Sequence, residues 1–155
     1  MDFNRYIEPF LGSGAVLATL SPKQAVGSDI FKPLMEIWKT LRDNPAELKE
    51  WYSDRWETAY SNQKKEGYEK IKASYNNRPN GADLLFLCRS CYGGVARFRK
   101  SDGYMSTPCG VHNPIHPDTF SKRADIWYER TKGAEFIELH YEEAMSMAKP
   151  GDLIY

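Results

Sequence analysis

Apolar positions in this chain follow two patterns, short runs near both ends and helical stripes through the middle. Tyr6–Phe10 is a short apolar run that stops at Leu11-Gly12-Ser13-Gly14, and Ala15–Leu20 resumes as a helix-compatible segment. Ser21-Pro22 breaks that helix, and Gln24–Ser28 reads as a second short strand closed by Asp29. Strand, helix and strand in such quick succession predict a compact βαβ unit and a parallel sheet. Helical spacing then takes over. Phe31–Leu41 places Leu34, Ile37, Trp38 and Leu41 on one face. Asn44-Pro45-Ala46-Glu47 is a helix start, with Asn as N-cap, Pro in the first turn and Glu at the third helical position. That helix carries Leu48, Trp51, Tyr52, Trp56 and Tyr60, a stripe read as the core of a helical block. Asn76–Gly81 is a loop and Ala82–Tyr92 an apolar helix. Val95–Arg99 and Tyr104–Thr107 alternate around Lys100-Ser101-Asp102-Gly103 and predict a hairpin over 94–108. Pro117–Lys132 reads as helix, Ala134–Tyr141 as strand, Glu142–Ala148 as a short helix, and Asp152–Tyr155 as the start of a further strand. The order predicts an α/β sheet, residues 1–43 and 133–155, interrupted by a helical, hairpin-bearing insertion over 44–132.

Composition narrows the class. The 155 residues carry 21 Lys+Arg against 21 Asp+Glu, so bulk electrostatics do not drive nucleic-acid binding and any such contact comes from a local patch. Hydrophobic residues make up 41%, yet no apolar run reaches the ~18 residues of a membrane span. The N-terminus has no apolar stretch of the signal-peptide kind. Three cysteines cannot all pair, which suits a reduced, cytoplasmic chain. No Gly-x-Ser-x-Gly, Walker loop or convincing pair of catalytic carboxylates is present, so hydrolase and kinase chemistry have no foothold.

The sharpest signal is Glu8-Pro9-Phe10-Leu11-Gly12-Ser13-Gly14, at the carboxyl end of the first strand, where open α/β sheets bind ligands. Glycines there let a ligand approach the backbone. Asp29 closes the next strand 15 residues after Gly14, where a carboxylate can accept from ribose hydroxyls. A bare Gly-x-Gly is also an ordinary tight turn, and the third glycine of the nicotinamide fingerprint is replaced by Leu17. Glu-Pro-Phe-Leu-Gly-Ser-Gly resembles the S-adenosyl-L-methionine (AdoMet) motif of Dam-type, α-group DNA adenine N6-methyltransferases. The resemblance implies a partial Rossmann-like methyltransferase sheet with an inserted target-recognition region. It assigns Glu8, Pro9, Phe10, Gly12, Gly14, Asp29 and Ile30 to AdoMet, with Phe10 packing on the cofactor and Asp29 holding its ribose. His140 and Tyr141, at the end of the third strand of the core, complete the set.

The stretch Cys88–Lys100 has four basic residues, no acid, and the rings of Tyr92 and Phe98. By composition it is a solvated amphipathic hairpin or a DNA finger. It is similar to the Asn-Arg-Thr-x-Phe/Tyr-Asn-Gly-Leu-x-Arg stretch of Dam-type enzymes. That likeness places Tyr92 in the gap left by a flipped adenine, Val95 on an apolar contact and Arg97 on a guanine. Pro108 falls on a proline that touches a thymine methyl, and Arg89, Arg99 and Lys100 join the DNA-binding set. Gly93 and Cys88 replace family asparagines. Cys88-x2-Cys91-x17-Cys109-x2-His112 has the spacing of a zinc knuckle, with His116 as a spare ligand, against a reading of Cys88 as a reduced core thiol.

The family's catalytic Asp-Pro-Pro-Tyr follows its fourth strand, and no Asp-Pro-Pro or Asn-Pro-Pro occurs among the 155 residues. No catalytic residue is therefore assigned, and the expectation is a chain that alone transfers no methyl group. The resemblance implies double-stranded DNA as substrate. With later strands missing, the first strand is expected to be a hydrophobic edge open to a second copy or a complementing chain. A non-catalytic DNA- or AdoMet-binding module, or a pseudoenzyme remnant, is the alternative, and a zinc-stabilised nucleic-acid binder a third reading.

Overall fold

The computed structural model describes residues 3–61 and 63–155. It divides into two compact units, residues 1–45 with 123–155, and residues 46–122. The first unit is built on a sheet of four parallel strands in the order β3-β2-β1-β4. These are β1 (Tyr6–Glu8), β2 (Ala25–Asp29), β3 (Ala134–Glu138) and β4 (Leu153–Ile154), with α1 (Ala15–Leu20) joining the first two. Parallel strands need covered faces, and Tyr6, Ile7, Ala25, Val26, Ala134 and Phe136 are all buried. Register runs Tyr6↔Ala25 through Glu8↔Gly27 and Ala25↔Ala134 through Asp29↔Glu138.

β1 is not an edge. Tyr6 and Ile7 pair with Leu153 and Ile154, so β4 takes the side of β1 that was expected to be open. Of the strand expected to start over Asp152–Tyr155 only Leu153–Ile154 form β4, but the Leu153 N–H donates to Arg5 O and the Tyr155 N–H to Ile7 O, satisfying the backbone of β1 on that side. The expectation of a partner recruited through an exposed first strand is corrected accordingly.

α2 (Lys32–Asp43) packs with Met35, Trp38 and Leu41 buried, so its inner face includes Met35, while Leu34 and Ile37 are only half-buried. α7 (Tyr141–Ser146) begins a residue earlier than expected, since β3 already ends at Glu138.

The second unit is helical. α3 (Pro45–Ser61) starts at the predicted proline and buries Leu48, Tyr52 and Ala59, whereas Trp51 and Trp56 are half-buried and Tyr60 is exposed. Tyr52 stacks on Phe120, centroids 4.1 Å apart, and lies tilted against Phe86 at 5.7 Å. α4 (Lys64–Asn77) has no counterpart in the sequence reading; it buries Gly67, Tyr68, Ile71 and Tyr75. Gly67 permits its close crossing of α3, because a Cβ there would lie 2.7 Å from the Thr58 carbonyl. α5 (Gly81–Ser90) is capped by Asn80, whose side chain accepts from the Asp83 N–H. α6 (Pro117–Thr131) carries the chain from this unit back into the first.

The predicted hairpin is an irregular ribbon. Its arms meet at two isolated antiparallel bridges, Cys91↔Cys109 and Phe98↔Met105, and not along continuous strands. A single 3-10 turn over Tyr92–Gly94 ends the helix early, with Gly93 at φ 65° and Gly94 at φ 67°, a left-handed pair that glycine accepts without strain.

Candidate functional site

The glycine loop is fixed by its neighbours on every side. Gly12 and Gly14 have φ of 48° and 59°, values that a side chain tolerates poorly. The Gly12 N–H donates to Asp29 Oδ2 (3.2 Å), and the Phe31 N–H donates to Asp29 Oδ1 (3.0 Å). Asp29 thus ties the loop after β1 to the turn after β2. The Leu11 N–H donates to Ser28 O at 2.8 Å, and the Leu11 side chain lies over Gly27, where a Cβ would meet it at 2.9 Å. The absence of a side chain at Gly27 is what lets Leu11 drop onto the sheet.

Glu8 is buried and accepts from Tyr6 Oη (2.7 Å) and from the Leu17 N–H (3.1 Å), the third residue of α1. It therefore satisfies an otherwise unpaired amide at the start of that helix. Burial pushes the Glu8 carboxyl above the usual carboxylate range, against the pull of those two hydrogen bonds. Leu17, where a nicotinamide fold would have glycine, supplies the bonded amide. Pro9 is buried behind the loop, while Phe10 and Ile30 are exposed. Phe10 stacks on Tyr141 at 5.1 Å with 25° between the rings, and His140 lies against Tyr141 at 4.5 Å. The structure thus collects Phe10, Gly12, Gly14, Asp29, Ile30, His140 and Tyr141 around the carboxyl ends of β1, β2 and β3.

The DNA candidates lie in the second unit. Tyr92, Val95, Arg97, Lys100 and Pro108 are exposed on the ribbon. Arg99 is also exposed, but its guanidinium pairs with Asp102 (2.8 Å) and lies 4.2 Å from the Tyr104 ring centroid, so it staples the ribbon tip. Arg89, on the last turn of α5, rests over the Phe120 ring at 5.1 Å. Side chains take the place of a regular ladder beneath the exposed set. Thr107 Oγ1 accepts from the Arg97 N–H (2.7 Å) and donates to Val95 O (3.1 Å). Asn76 of α4 clasps Met105 at both backbone groups, accepting from its N–H (2.7 Å) and donating to its carbonyl (3.1 Å).

Cys91 and Cys109 face each other across the ribbon's base, while Cys88 is exposed. Burial pushes the Cys91 thiol up, away from the thiolate a metal needs. Among the described residues no group of three or more His, Cys, Asp or Glu side chains is placed to hold a metal ion. Among them, too, no helix is long and apolar enough to cross a membrane.

The family model described as D12 class N6 adenine-specific DNA methyltransferase matches residues 2–155. The chain belongs to this family. It is 32% identical over 128 residues to the type II methyltransferase M.MjaIII of Methanocaldococcus jannaschii, covering 73% of this chain and 44% of that protein. It is 28% identical over 159 residues to the retron Ec67 DNA adenine methylase of Escherichia coli, covering 97% and 53% respectively. A DNA adenine methylase of Vibrio cholerae is 25% identical over 158 residues, covering 96% and 53%. The chain spans about half the length of these curated relatives. Membership in a family of enzymes does not favour the non-catalytic alternative.

Sequence reasoning missed the supports of both regions. Leu11 and Trp38 brace the glycine loop, and Asn76 and Thr107 brace the ribbon. Trp38 was legible only as an apolar helix position. Asn76, read as the start of a loop, instead lies in the last turn of α4.

Proposed function

We propose that this chain carries the AdoMet-binding and DNA-reading parts of a DNA adenine N6-methyltransferase acting on duplex DNA. The observation that carries the reading is the glycine loop at the carboxyl ends of β1 and β2, with Phe10 68% and Ile30 66% exposed beside it. Large apolar side chains held this open beside a backbone of left-handed glycines suit a flat, partly apolar ligand with a polar tail. AdoMet fits the donor set. Gly12, whose Cβ side is open, leaves the backbone bare for the methionine portion. Each Asp29 oxygen accepts one backbone N–H and keeps a lone pair for a ribose hydroxyl. Phe10, Ile30 and Tyr141 offer apolar surface for the adenine. AdoMet, when bound, supplies an electrophilic methyl group on a sulfonium; the protein's part is to hold it oriented and away from water.

On the ribbon, Arg97 has a freely exposed side chain on a backbone anchored by Thr107, the arrangement that a bidentate contact to guanine needs. Lys100 is available for phosphate, and Tyr92, 59% exposed, for stacking where a base has left the duplex. Arg99 shapes the ribbon tip through Asp102 and Tyr104 rather than reaching outward. The expected location is the cytoplasm, with the DNA.

Two substitutions at exposed positions test the reading without disturbing the core. In calorimetric titration of AdoMet into the 155-residue chain, Phe10→Ala is expected to weaken binding by about 5-fold or more at an unchanged melting temperature. Arg97→Ala is expected to weaken binding to adenine-containing duplexes and flatten the preference among them, by about 1–3 kcal/mol for the preferred site. Wild-type affinity of both variants for both ligands would refute the assignment.

A further inference from the structure

The glycine loop is braced by a residue outside the motif. Trp38 lies on α2, nine residues after Asp29, and is only 6% exposed. Its indole Nε1–H donates to the Gly12 carbonyl at 3.1 Å. Gly12 therefore has both backbone groups engaged, its N–H by Asp29 and its carbonyl by Trp38. The edge of the same indole fills the space beside Gly14. A Cβ at residue 14 would lie 2.7 Å from Trp38 Cζ2 and 2.8 Å from Cη2, well inside van der Waals contact. The indole cannot give way easily. It stacks on Phe136 of β3 at 5.1 Å with 25° between planes, and Trp127 of α6 closes on it at 5.6 Å.

We infer that Trp38 is a positioning residue for cofactor binding: it holds the Gly12–Gly14 loop in its bound shape before the ligand arrives. Trp38 is buried beneath the loop and acts only through it. A ligand that meets an ordered loop does not lose affinity to ordering it. The inference also explains the glycine at position 14 by two separate demands, a left-handed φ of 59° and the indole edge. The first demand belongs to the loop alone and the second to the pairing with Trp38. This inference rests on the AdoMet reading for the identity of the ligand, and on the structure alone for the loop.

Trp38→Phe keeps an aromatic ring for Phe136 and Trp127 to pack on and removes the N–H donor. It is expected to weaken AdoMet binding in the 155-residue chain by about 3- to 10-fold, the range of one net hydrogen bond. Amide exchange at Gly12, Gly14 and Leu17 is expected to speed up by a similar factor, while β2 and β3 keep their protection. A residue that served only general stability would lower protection across the sheet instead. A double-mutant cycle supplies the second measurement. The destabilisation caused by Gly14→Ala is expected to shrink in a Trp38→Ala background, leaving only the backbone cost of the positive φ. Unchanged loop exchange in Trp38→Phe, together with additive effects in the cycle, would overturn the inference. If the wild-type chain binds no AdoMet, the cofactor reading fails, while loop exchange and the cycle still decide the role of Trp38.

Discussion

Glu8 shows how a single charged residue can belong to the framework of a site while standing inside its motif. Its carboxylate is spent on Tyr6 Oη and on the Leu17 amide, so it joins β1 to the first turn of α1 and sets where the glycine loop ends. That role has a pH signature. Burial raises its proton affinity in the folded chain, so above the ordinary carboxylate pKa the unfolded chain has released a proton that the folded chain retains. Stability therefore falls as pH rises through the window from the ordinary value to the raised one, and the contribution is fully favourable only below it. Glu8→Gln keeps one acceptor oxygen and cannot titrate. Its urea midpoint is expected to be flatter across that window than the wild type's, and a parallel decline in the two proteins would assign the slope to another group.

At the scale of elements, the ribbon is the least regular segment and the most dependent on others. A free two-stranded ribbon is marginal in water, and this one has only two bridging pairs. Its backbone is held by Asn76 at Met105, by Thr107 at Val95 and Arg97, and by Tyr68, whose Oη donates to Thr107 O at 2.8 Å. The α4 helix is therefore the bed on which the exposed DNA candidates rest. Asn76→Ala removes two backbone clasps at once and leaves Met105, a fully buried residue, with unpaired groups. The expected loss is about 1–3 kcal/mol in chemical denaturation. It should be accompanied by faster amide exchange at Met105 and weaker duplex binding. Retention of ribbon protection in that variant would show that Thr107 and Tyr68 suffice.

Across the whole molecule, residues far apart in the chain close one sheet. Arg5, just before β1, donates to Asp152 Oδ2 at 2.9 Å and to Met147 O at 2.6 Å, and so locks the strand order at its β1-β4 seam. The Lys149 N–H, and then the Arg5 guanidinium, hold the Asp152 carboxyl below the usual carboxylate range. The stabilisation is present above the ordinary carboxylate pKa and is lost as pH falls through the depressed value. Asp152→Asn is thus expected to lower the melting temperature at neutral pH and to narrow the gap from wild type in acid; a gap that persists in acid would mean that the charge is not what matters. How much of this was readable in advance depended on distance along the chain. The glycine loop and Asp29 were legible because turn conformation and strand ends are set by adjacent residues, where φ preferences and alternation act directly. α3 was legible from its proline start and helical stripe and α6 from its proline start, whereas α4 went unread although Tyr68, Ile71 and Tyr75 stand at helical spacing, because that narrow stripe is flanked by lysines and polar side chains and the helix has no proline start. The full sheet order, the brace of Trp38 against Gly14 and the reach of Asn76 to Met105 were beyond the sequence. The sequence alone determined the local chemistry of loop, acid and basic ribbon, because those choices cost or gain free energy within a few residues. Only the tertiary structure decided which strand covers β1 and which side chains brace the loops, because those depend on which surfaces meet when apolar area is buried.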